Sequence, residues 1–143
     1  MGSQIVTCPH CMTGNRVPDV GLGRPGCGSC QRALAWIVEA IDSNFVNIVD
    51  SDLAVLVEVY ATWSKPSGLV APIVRRIAED YSGRLKVVRV DADRAPRVLS
   101  AHRLKGPPSV LLMKNGSVLD TIVGAQPDAT LRKLINGVLF ARV

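Results

Sequence analysis

The sequence predicts an α/β domain, with a mixed sheet between two layers of helices, preceded by a small cysteine-containing segment. Three observations lead to this expectation. Apolar runs of strand length alternate with amphipathic stretches of helical period along most of the chain. The pair Asn115-Gly116, a strong two-residue hairpin signal, joins two of the late strands. Every cysteine lies in the first 33 residues, where no apolar period is present.

The composition fits one ordinary domain with an appendage. The chain has 143 residues, of which 48% are hydrophobic and 4% aromatic, so we expect an aliphatic core. No apolar run approaches the roughly 18 residues of a membrane span, and the first residues do not have the form of a signal peptide. We therefore expect no membrane association and a cytoplasmic location. The net charge of +5 includes no long Lys/Arg block, so nucleic acid is not an expected partner.

Residues 1–34 carry two C-x₂-C pairs, Cys8-Pro9-His10-Cys11 and Cys27-Gly28-Ser29-Cys30, separated by 15 residues. This is the spacing of a four-cysteine structural zinc site, in which two tight turns each present two sulfurs to one ion. A segment this small cannot fold on a core of its own, so the metal would supply its folding energy. We predict a zinc-ribbon-like segment with Cys8, Cys11, Cys27 and Cys30 as ligands. Disulfides, redox-active dithiols, another metal and free thiols are the alternatives.

The residues around these cysteine pairs have simpler interpretations. Gly and Pro in residues 14–18 and 21–26 predict loops. His10 is expected to be a bystander, because four thiolates already complete a tetrahedral site.

Five strands and four helices are expected after residue 35, in the order β-α-β-α-β-α-β-β-α. The strands are predicted at residues 36–41, 54–60, 85–90, 109–113 and 117–123. The helices are predicted at about residues 42–50, 66–81, 95–104 and 128–139.

Individual residues support these assignments. The strand 54–60 is apolar on both faces except at Glu58, as expected of a central strand that is covered on both sides. Asp42 or Ser43 can cap the first helix, and Pro72 predicts a kink in the second. The second helix is expected to bury one stripe, formed by Leu69, Val70, Ile73, Val74, Ile77 and Tyr81. The last helix is expected to turn Leu131, Leu134, Ile135 and Val138 inward.

Several separate motifs from about Trp36 to Leu139 together resemble the thioredoxin family. Residues Ala61-Thr62-Trp63-Ser64-Lys65-Pro66-Ser67 fall where that family has W-C-G-P-C. Pro72 corresponds to the family's helix-kink proline, Pro108 to its cis proline, Lys114-Asn115-Gly116 to its hairpin and Val123-Gly124-Ala125 to its glycine segment. The resemblance implies the thioredoxin fold for residues 35–143. With the cysteine segment in front, the chain is similar to the zinc-containing thioredoxin-2 type.

The resemblance also implies roles for individual residues. Ser64 and Ser67 occupy the positions of the two catalytic cysteines, and Glu58 that of the buried acid, with Arg89 as its basic partner. The protein groove of the family corresponds to Trp63, Lys65, Pro66, Pro107, Pro108 and Gly124. Such a site works because a thiolate at a helix start attacks a substrate disulfide and a second thiol resolves the intermediate. Protein substrates and thioredoxin reductase are the implied partners.

Serine removes this chemistry, because a hydroxyl is far less acidic than a thiol and oxygen cannot form a disulfide. We therefore expect a thioredoxin-type protein-disulfide reductase in a redox-inactive form, or a redox-dead module that binds proteins. The paired one-atom replacement fits an engineered inactive variant. Natural divergence is the other explanation, because further positions also depart from the common pattern, namely Glu58, Tyr60, Lys65, Gly68 and Pro107. Both explanations remain open at this point.

Overall fold

The structure, a computed structural model, describes residues 2–140. Its strands are β1 (Ser3–Thr7), β2 (Gly14–Pro18), β3 (Trp36–Ala40), β4 (Ala54–Tyr60), β5 (Leu85–Asp91), β6 (Ser109–Lys114) and β7 (Ser117–Val123). Its helices are α1 (Phe45–Val49), α2 (Lys65–Asp80), α3 (Pro96–Ala101) and α4 (Asp128–Leu139). A 3-10 turn, Ala92–Arg94, connects β5 to α3. From β3 onward the predicted order of strands and helices is confirmed.

A five-stranded mixed sheet forms the centre of the fold, with the order β3-β5-β4-β6-β7. Strands β3, β5 and β4 are parallel to one another, whereas β6 runs antiparallel to β4 and to β7. The carboxyl ends of β3, β4, β5 and β7 therefore meet the start of β6 at one edge. We call this the site edge, formed by residues 41–44, 61–64, 92–95, 102–108 and 124–127.

The two faces of the sheet are covered by different layers, because the side chains of a strand alternate between faces. Leu56 and Val87 pack with Val74 and Ile77 of α2 and Leu131 of α4. The opposite face of the same strands belongs to a second cluster, which also contains residues of α1, α3 and the N-terminal segment. The central position predicted for β4 is confirmed, since Val55, Leu56 and Val57 all have 0% exposure.

The N-terminal segment contains a hairpin, in which β1 pairs antiparallel with β2 from Ser3 opposite Pro18 to Thr7 opposite Gly14. The loop predicted for residues 14–18 is therefore wrong. Gly14 and Pro18 lie at the ends of β2, where a turn residue or a missing N–H is tolerated. Val17 between them is 2% exposed and belongs to the main core, so burial supports a strand that the composition conceals.

A buried lysine joins this segment to the sheet. Lys86 of β5 has 0% exposure, and its Nζ donates at 2.7 Å to the carbonyls of Asp19 and Ile48. The same ammonium lies 4.0 Å from the centre of the Trp36 ring. Trp36 in turn donates its indole N–H to the carbonyl of Pro18 at 3.0 Å. The hairpin is thus held to β3 and β5 by hydrogen bonds that satisfy a buried charge.

Some helix details differ from the expectations. Helix α1 starts after Asn44 without a side-chain cap, whereas Asp42 accepts hydrogen bonds from Arg97 and Val98 at the start of α3. Leu69 is 68% exposed, so the buried stripe of α2 is narrower than predicted. Pro72 lies within α2 without ending it, and the kink there stays a prediction.

Candidate functional site

The turn between β4 and α2 is organised by two serine hydroxyls. Ser64 is the N-cap of α2, where its hydroxyl accepts a hydrogen bond from the Ser67 N–H at 3.3 Å. Ser67 is 3% exposed and accepts from the Ala61 N–H at 3.3 Å. Serine is among the preferred N-cap residues because its oxygen pairs with an otherwise unpaired helical N–H. One hydroxyl thus lies at the half-buried start of the helix and the other lies beneath it.

Trp63 stands at the surface just before this turn. Its side chain is 67% exposed, and its indole N–H donates to Asp93 Oδ2 at 2.9 Å. Asp93 lies in the 3-10 turn after β5, so this hydrogen bond joins two loops of the site edge. An exposed aromatic side chain that is held in one orientation suits a contact surface.

Pro108 and Gly124 lie together at the same edge. The Pro107–Pro108 peptide bond is cis, as the family resemblance implies. The Gly124 N–H donates to the Pro108 carbonyl at 2.8 Å, with Gly124 at a φ of 92°. Ser109, the next residue, pairs with Val59 near the end of β4. Since β4 leads directly into the Ser64 turn, this register brings Pro108 beside that turn.

A row of charged side chains crosses the sheet behind the serine turn. Glu39, Arg89 and Glu58 are register partners on β3, β5 and β4 and therefore point to the same face. Arg89 Nε lies 2.8 Å from Glu58 Oε1, and its Nη1 lies 3.3 Å from Glu39 Oε1. The guanidinium also lies 4.0 Å from the centre of the Tyr60 ring. The predicted pair of Glu58 and Arg89 is present, and Glu39 is a second partner that the sequence analysis missed.

Glu58 is the most deeply buried carboxylate of this row, with 1% exposure. Its Oε2 atom is buried and has no hydrogen-bond partner among residues 2–140. Burial raises the pKa of Glu58, against the opposing effect of the Arg89 hydrogen bond and charge. Partial burial, together with the hydrogen bond to Glu39, also raises the pKa of Tyr60 to about 12. Glu58 therefore holds a proton more readily than an exposed carboxyl does.

A cavity of about 460 Å³ opens beside this carboxyl. It lies between α2 and strands β3, β4 and β5, and its lining includes Glu58, Arg75, Glu79 and Arg89. Solvent can thus come close to the acid from the α2 side of the sheet.

The second candidate site is the group formed by Cys8, Cys11, Cys27 and Cys30, whose sulfurs all lie within 4.8 Å of one another. The Sγ atoms of Cys8 and Cys30 are 3.6 Å apart, and those of Cys11 and Cys27 are 3.5 Å apart. Four sulfurs at about 2.3 Å from a tetrahedral ion would be separated by about 3.8 Å. The four cysteines are free thiols, so a disulfide interpretation has no support in this geometry. They could hold a metal ion, and the donor set fits zinc.

The two cysteine turns are conformational copies of each other. Met12 and Gln31, the residues after each pair, both have a positive φ, of 64° and 70°. Their N–H groups donate to the carbonyls of Cys8 and Cys27 at 2.8 and 2.9 Å. Backbone N–H groups of Cys30 and Ser29 point at the Cys27 sulfur, and with Cys30 as the largest cause they lower its pKa to about 6. This favours the thiolate, which is the form that binds metal. His10 is exposed and is not a member of the sulfur group.

The structure thus brings the predicted residues together at two sites, the site edge and the group of four cysteines. At the site edge they lie as follows. Ser64, Ser67, Trp63, Lys65 and Pro66 share the turn at the start of α2, and Pro107, Pro108 and Gly124 lie at the same edge. Glu58 lies in β4, two residues before the end of that strand. Asp93 was missed because its partner Trp63 is 30 residues away along the chain. Its only sequence signal is the turn that ends β5.

Comparisons with known proteins agree with this geometry. Residues 36–137 match the family model described as Thioredoxin. The chain is 39% identical over 98 residues to "Thioredoxin 1" of Nostoc sp., covering 68% of this chain and 92% of the relative. It is 35% identical over 99 residues to "Thioredoxin" of Chlorobaculum thiosulfatiphilum, covering 68% and 92%. It is 33% identical over 101 residues to "Thioredoxin" of Porphyra purpurea, covering 70% and 94%. No described helix combines the length and hydropathy needed to cross a membrane.

Proposed function

The chain belongs to the thioredoxin family, and on that premise we propose that it is a protein-disulfide reductase scaffold in a redox-inactive form. The observation that carries this proposal is the turn at the start of α2. Ser64 and Ser67 stand there with the exposure expected of an attacking and a resolving group, half-buried and buried respectively. Relatives named thioredoxin, at 33–39% identity, support a thioredoxin-like disulfide oxidoreductase.

With sulfur at both positions, the reaction would proceed in two exchanges. The thiolate at position 64 attacks one sulfur of a substrate disulfide, forms a mixed disulfide and releases the other substrate sulfur as a thiolate. The thiol at position 67 loses its proton and attacks the mixed disulfide. The substrate leaves fully reduced, and the domain is left with its own disulfide, which thioredoxin reductase would reduce. Glu58, with its unpartnered oxygen and raised pKa, is the proposed acceptor of the second thiol's proton.

Trp63, Lys65, Pro66, Pro107, Pro108 and Gly124 are the proposed groove for protein substrates. Trp63 offers an exposed aromatic surface beside the turn. The cis Pro108 immediately precedes β6 beside the end of β4, and an extended substrate segment could pair with backbone groups there. Serine in place of cysteine at positions 64 and 67 removes the disulfide exchange but leaves these contact groups in place.

The proposal is tested by restoring the sulfurs. Ser64→Cys combined with Ser67→Cys should reduce the disulfides of insulin with dithiothreitol or thioredoxin reductase as electron donor. The unchanged chain, which keeps only its N-terminal cysteines, is the control and should give the uncatalysed rate. A doubly substituted protein with the circular dichroism spectrum of the parent but no activity would sink the proposal.

A second candidate is a binding module that has lost redox chemistry naturally. Its support is the way the hydroxyls are used, since Ser64 caps α2 and Ser67 accepts from Ala61. This candidate predicts that a specific protein co-purifies with the chain. Its co-purification should be lost on Trp63→Ala and should be unaffected by reductant. Release of that protein by dithiothreitol would contradict it.

We also propose that residues 1–34 form a zinc-binding segment and residues 35–143 the thioredoxin domain, as in the thioredoxin-2 type. The sulfur distances and the convergence of four thiols support a structural zinc site of zinc-ribbon form on Cys8, Cys11, Cys27 and Cys30. When bound, the ion would supply a cross-link between the two cysteine turns and hence folding energy for the segment. A cytoplasmic location suits four reduced thiols.

A further inference from the structure

The site edge and the helix starts that adjoin it carry carboxylates that are all engaged within the chain. Asp93 accepts from Trp63, and Asp91 accepts from the Asp93 N–H. Asp42 accepts from two N–H groups at the start of α3, and Asp128 forms an ion pair with Arg132. Each negative charge here is thus already hydrogen-bonded to a group of the protein itself.

The exposed basic side chains of the same region, in contrast, have no acidic partner among the described residues. Five exposed basic side chains lie there, and none forms an ion pair within residues 2–140, where the ion pairs involve Arg89 and Arg132 alone. These side chains are Lys65, Arg94, Arg97, Arg103 and Lys105. Lys65 directly follows Ser64, and Lys105 lies three residues before Pro108, so cations flank the proposed groove on two sides.

We propose that this edge selects an extended protein segment with acidic side chains on either side of the part that contacts Trp63. The inference rests on the proposed function in taking the groove as the surface that receives a partner. Charges at the rim of an interface favour partners of complementary sign and raise the rate of association. Asp42, Asp91 and Asp93 keep their negative charge, but their oxygens are held by N–H groups of the chain itself. The five cations outnumber them and are free to pair with a partner's carboxylates.

The apolar surface of the edge favours a protein over another polyanion. Trp63 is 67% exposed and Val123 is 61% exposed, and they lie on either side of the cis Pro108 in the sheet order. A peptide can cover these side chains and place carboxylates at Lys65 and Lys105 together. A nucleic acid would use the positive charges and could stack a base on Trp63, but its binding would depend little on the aliphatic Val123.

The test uses the unchanged chain, so that binding is measured without disulfide exchange. Fluorescein-labelled peptides of one extended sequence, with Glu, Gln or Lys as flanking residues, are titrated by fluorescence anisotropy. We expect the Glu peptide to bind about tenfold more tightly than the Gln peptide at low ionic strength and the Lys peptide to bind most weakly. At about 0.5 M salt the preference should largely disappear, because exposed charges are then screened.

The second part of the experiment reverses charges at the site edge and repeats the peptide titrations. Lys65→Glu with Lys105→Glu should abolish the preference for the Glu peptide, and Lys105→Glu alone should reduce it. Lys133→Glu, at an exposed position within α4, makes a matched charge change away from the edge and should keep the preference. Equal affinity for the Glu and Gln peptides would overturn the inference. So would an oligonucleotide of the same charge that binds as tightly as the Glu peptide.

These outcomes are separate from those of the proposed function. A restored double-cysteine protein that reduces insulin but shows no charge preference among the peptides contradicts this inference alone. A restored protein without activity contradicts the proposed function, and the anisotropy result on the unchanged chain then still decides whether the edge is an acidic-peptide site.

Discussion

Two kinds of tight turn in this protein present side chains at the same spacing of three residues, and they do different work. In the N-terminal segment, the sulfurs of two separate turns converge, with Cys11 and Cys27 at 3.5 Å. At the start of α2, the oxygens of Ser64 and Ser67 instead turn back to the backbone, where each accepts an N–H at 3.3 Å. Equal spacing therefore does not mean equal chemistry. The atom at the end of the side chain, and the element that follows the turn, decide the outcome.

The physical reason for the difference lies in the secondary structure that follows each turn. The first cysteine turn is followed by a strand and the second by a loop, so neither has to cap a helix. The N–H groups of Cys30 and Ser29 do point at the Cys27 sulfur, but a thiolate that accepts such bonds can still bind a metal ion. The serine turn opens a helix of 16 residues, whose first N–H groups need acceptors. A hydroxyl supplies such an acceptor well, whereas a thiol is a weak one. The cysteine turns thus leave their sulfurs where they could hold a metal ion, whereas the serine turn uses its hydroxyls as acceptors for backbone N–H groups.

The largest effect is expected from a change at a cysteine turn. Cys27→Ser removes one of the four sulfurs of the proposed zinc site, so at limiting metal the parent should bind one zinc per chain and the variant none. Because a structural zinc supplies on the order of 10 kcal/mol of folding free energy, residues 1–34 should lose protection from amide hydrogen exchange. Ser29→Ala, in the same turn but without a sulfur, is the control. Full protection in Cys27→Ser would show that the segment does not depend on metal.

The charged row behind the serine turn should give the next largest effect. Arg89→Met leaves Glu58 buried without its cation, and we expect a loss of about 3–5 kcal/mol in the free energy of unfolding, measured with urea. Glu39→Gln, which removes the exposed partner of the same arginine, should cost less than about 1 kcal/mol. Since the folded-state pKa of Glu58 is raised, protonation relieves the cost at acidic pH. The loss in Arg89→Met should therefore grow as the pH rises through that pKa, and a loss independent of pH would contradict this account.

The contact between the N-terminal segment and the central sheet can be examined through Lys86, which binds the carbonyl of Asp19. Burial lowers its pKa to about 8, although Asp19 and Asp50 act in the opposite direction. Between that value and its ordinary pKa of 10.5, the folded protein binds fewer protons than the unfolded chain, so stability should rise with pH. The free energy of unfolding of the parent relative to Lys86→Met should increase by at most about 3 kcal/mol from pH 7 to pH 10.5. An unchanged difference would mean that folding does not lower the pKa of Lys86.

The smallest effect is expected at the cap itself. Ser64→Ala removes the acceptor for the Ser67 N–H and should lower the free energy of unfolding by about 1 kcal/mol. Thr62→Ala, one position before Trp63 and exposed, should change it by less than half of that amount. Equal losses in the two variants would argue against a capping role.

Much of the fold was predictable because its signals are local. The amphipathic period gave α4 the bounds that the structure has, Asp128–Leu139, and Asn115-Gly116 marked the hairpin between β6 and β7. Both depend on residues that are close in the chain. The cysteine spacing likewise predicted that four sulfurs would lie together.

The errors come from contacts between distant residues. Strand β2 has Gly and Pro at its ends and is stabilised by packing Val17 into the main core, which composition does not reveal. Asp42 had the correct chemistry for a helix cap, but it caps α3 rather than the adjacent α1. Leu69 satisfied the helical period, yet it lies outside the area that the sheet covers. The bonds of Asp93 with Trp63 and of Glu39 with Arg89 depend on register and loop geometry, which a single sequence does not specify.

The most direct test of the central claim is a comparison of the two single variants, Ser64→Cys and Ser67→Cys, by intact-mass spectrometry after incubation with a disulfide-containing peptide. The claim that the α2 turn is shaped for thiol exchange predicts a mixed disulfide with the first variant and little or none with the second, because position 67 is buried. The unchanged chain accounts for any reaction of the four N-terminal cysteines. Equal labelling of both variants, or of neither above the unchanged chain, would contradict the claim.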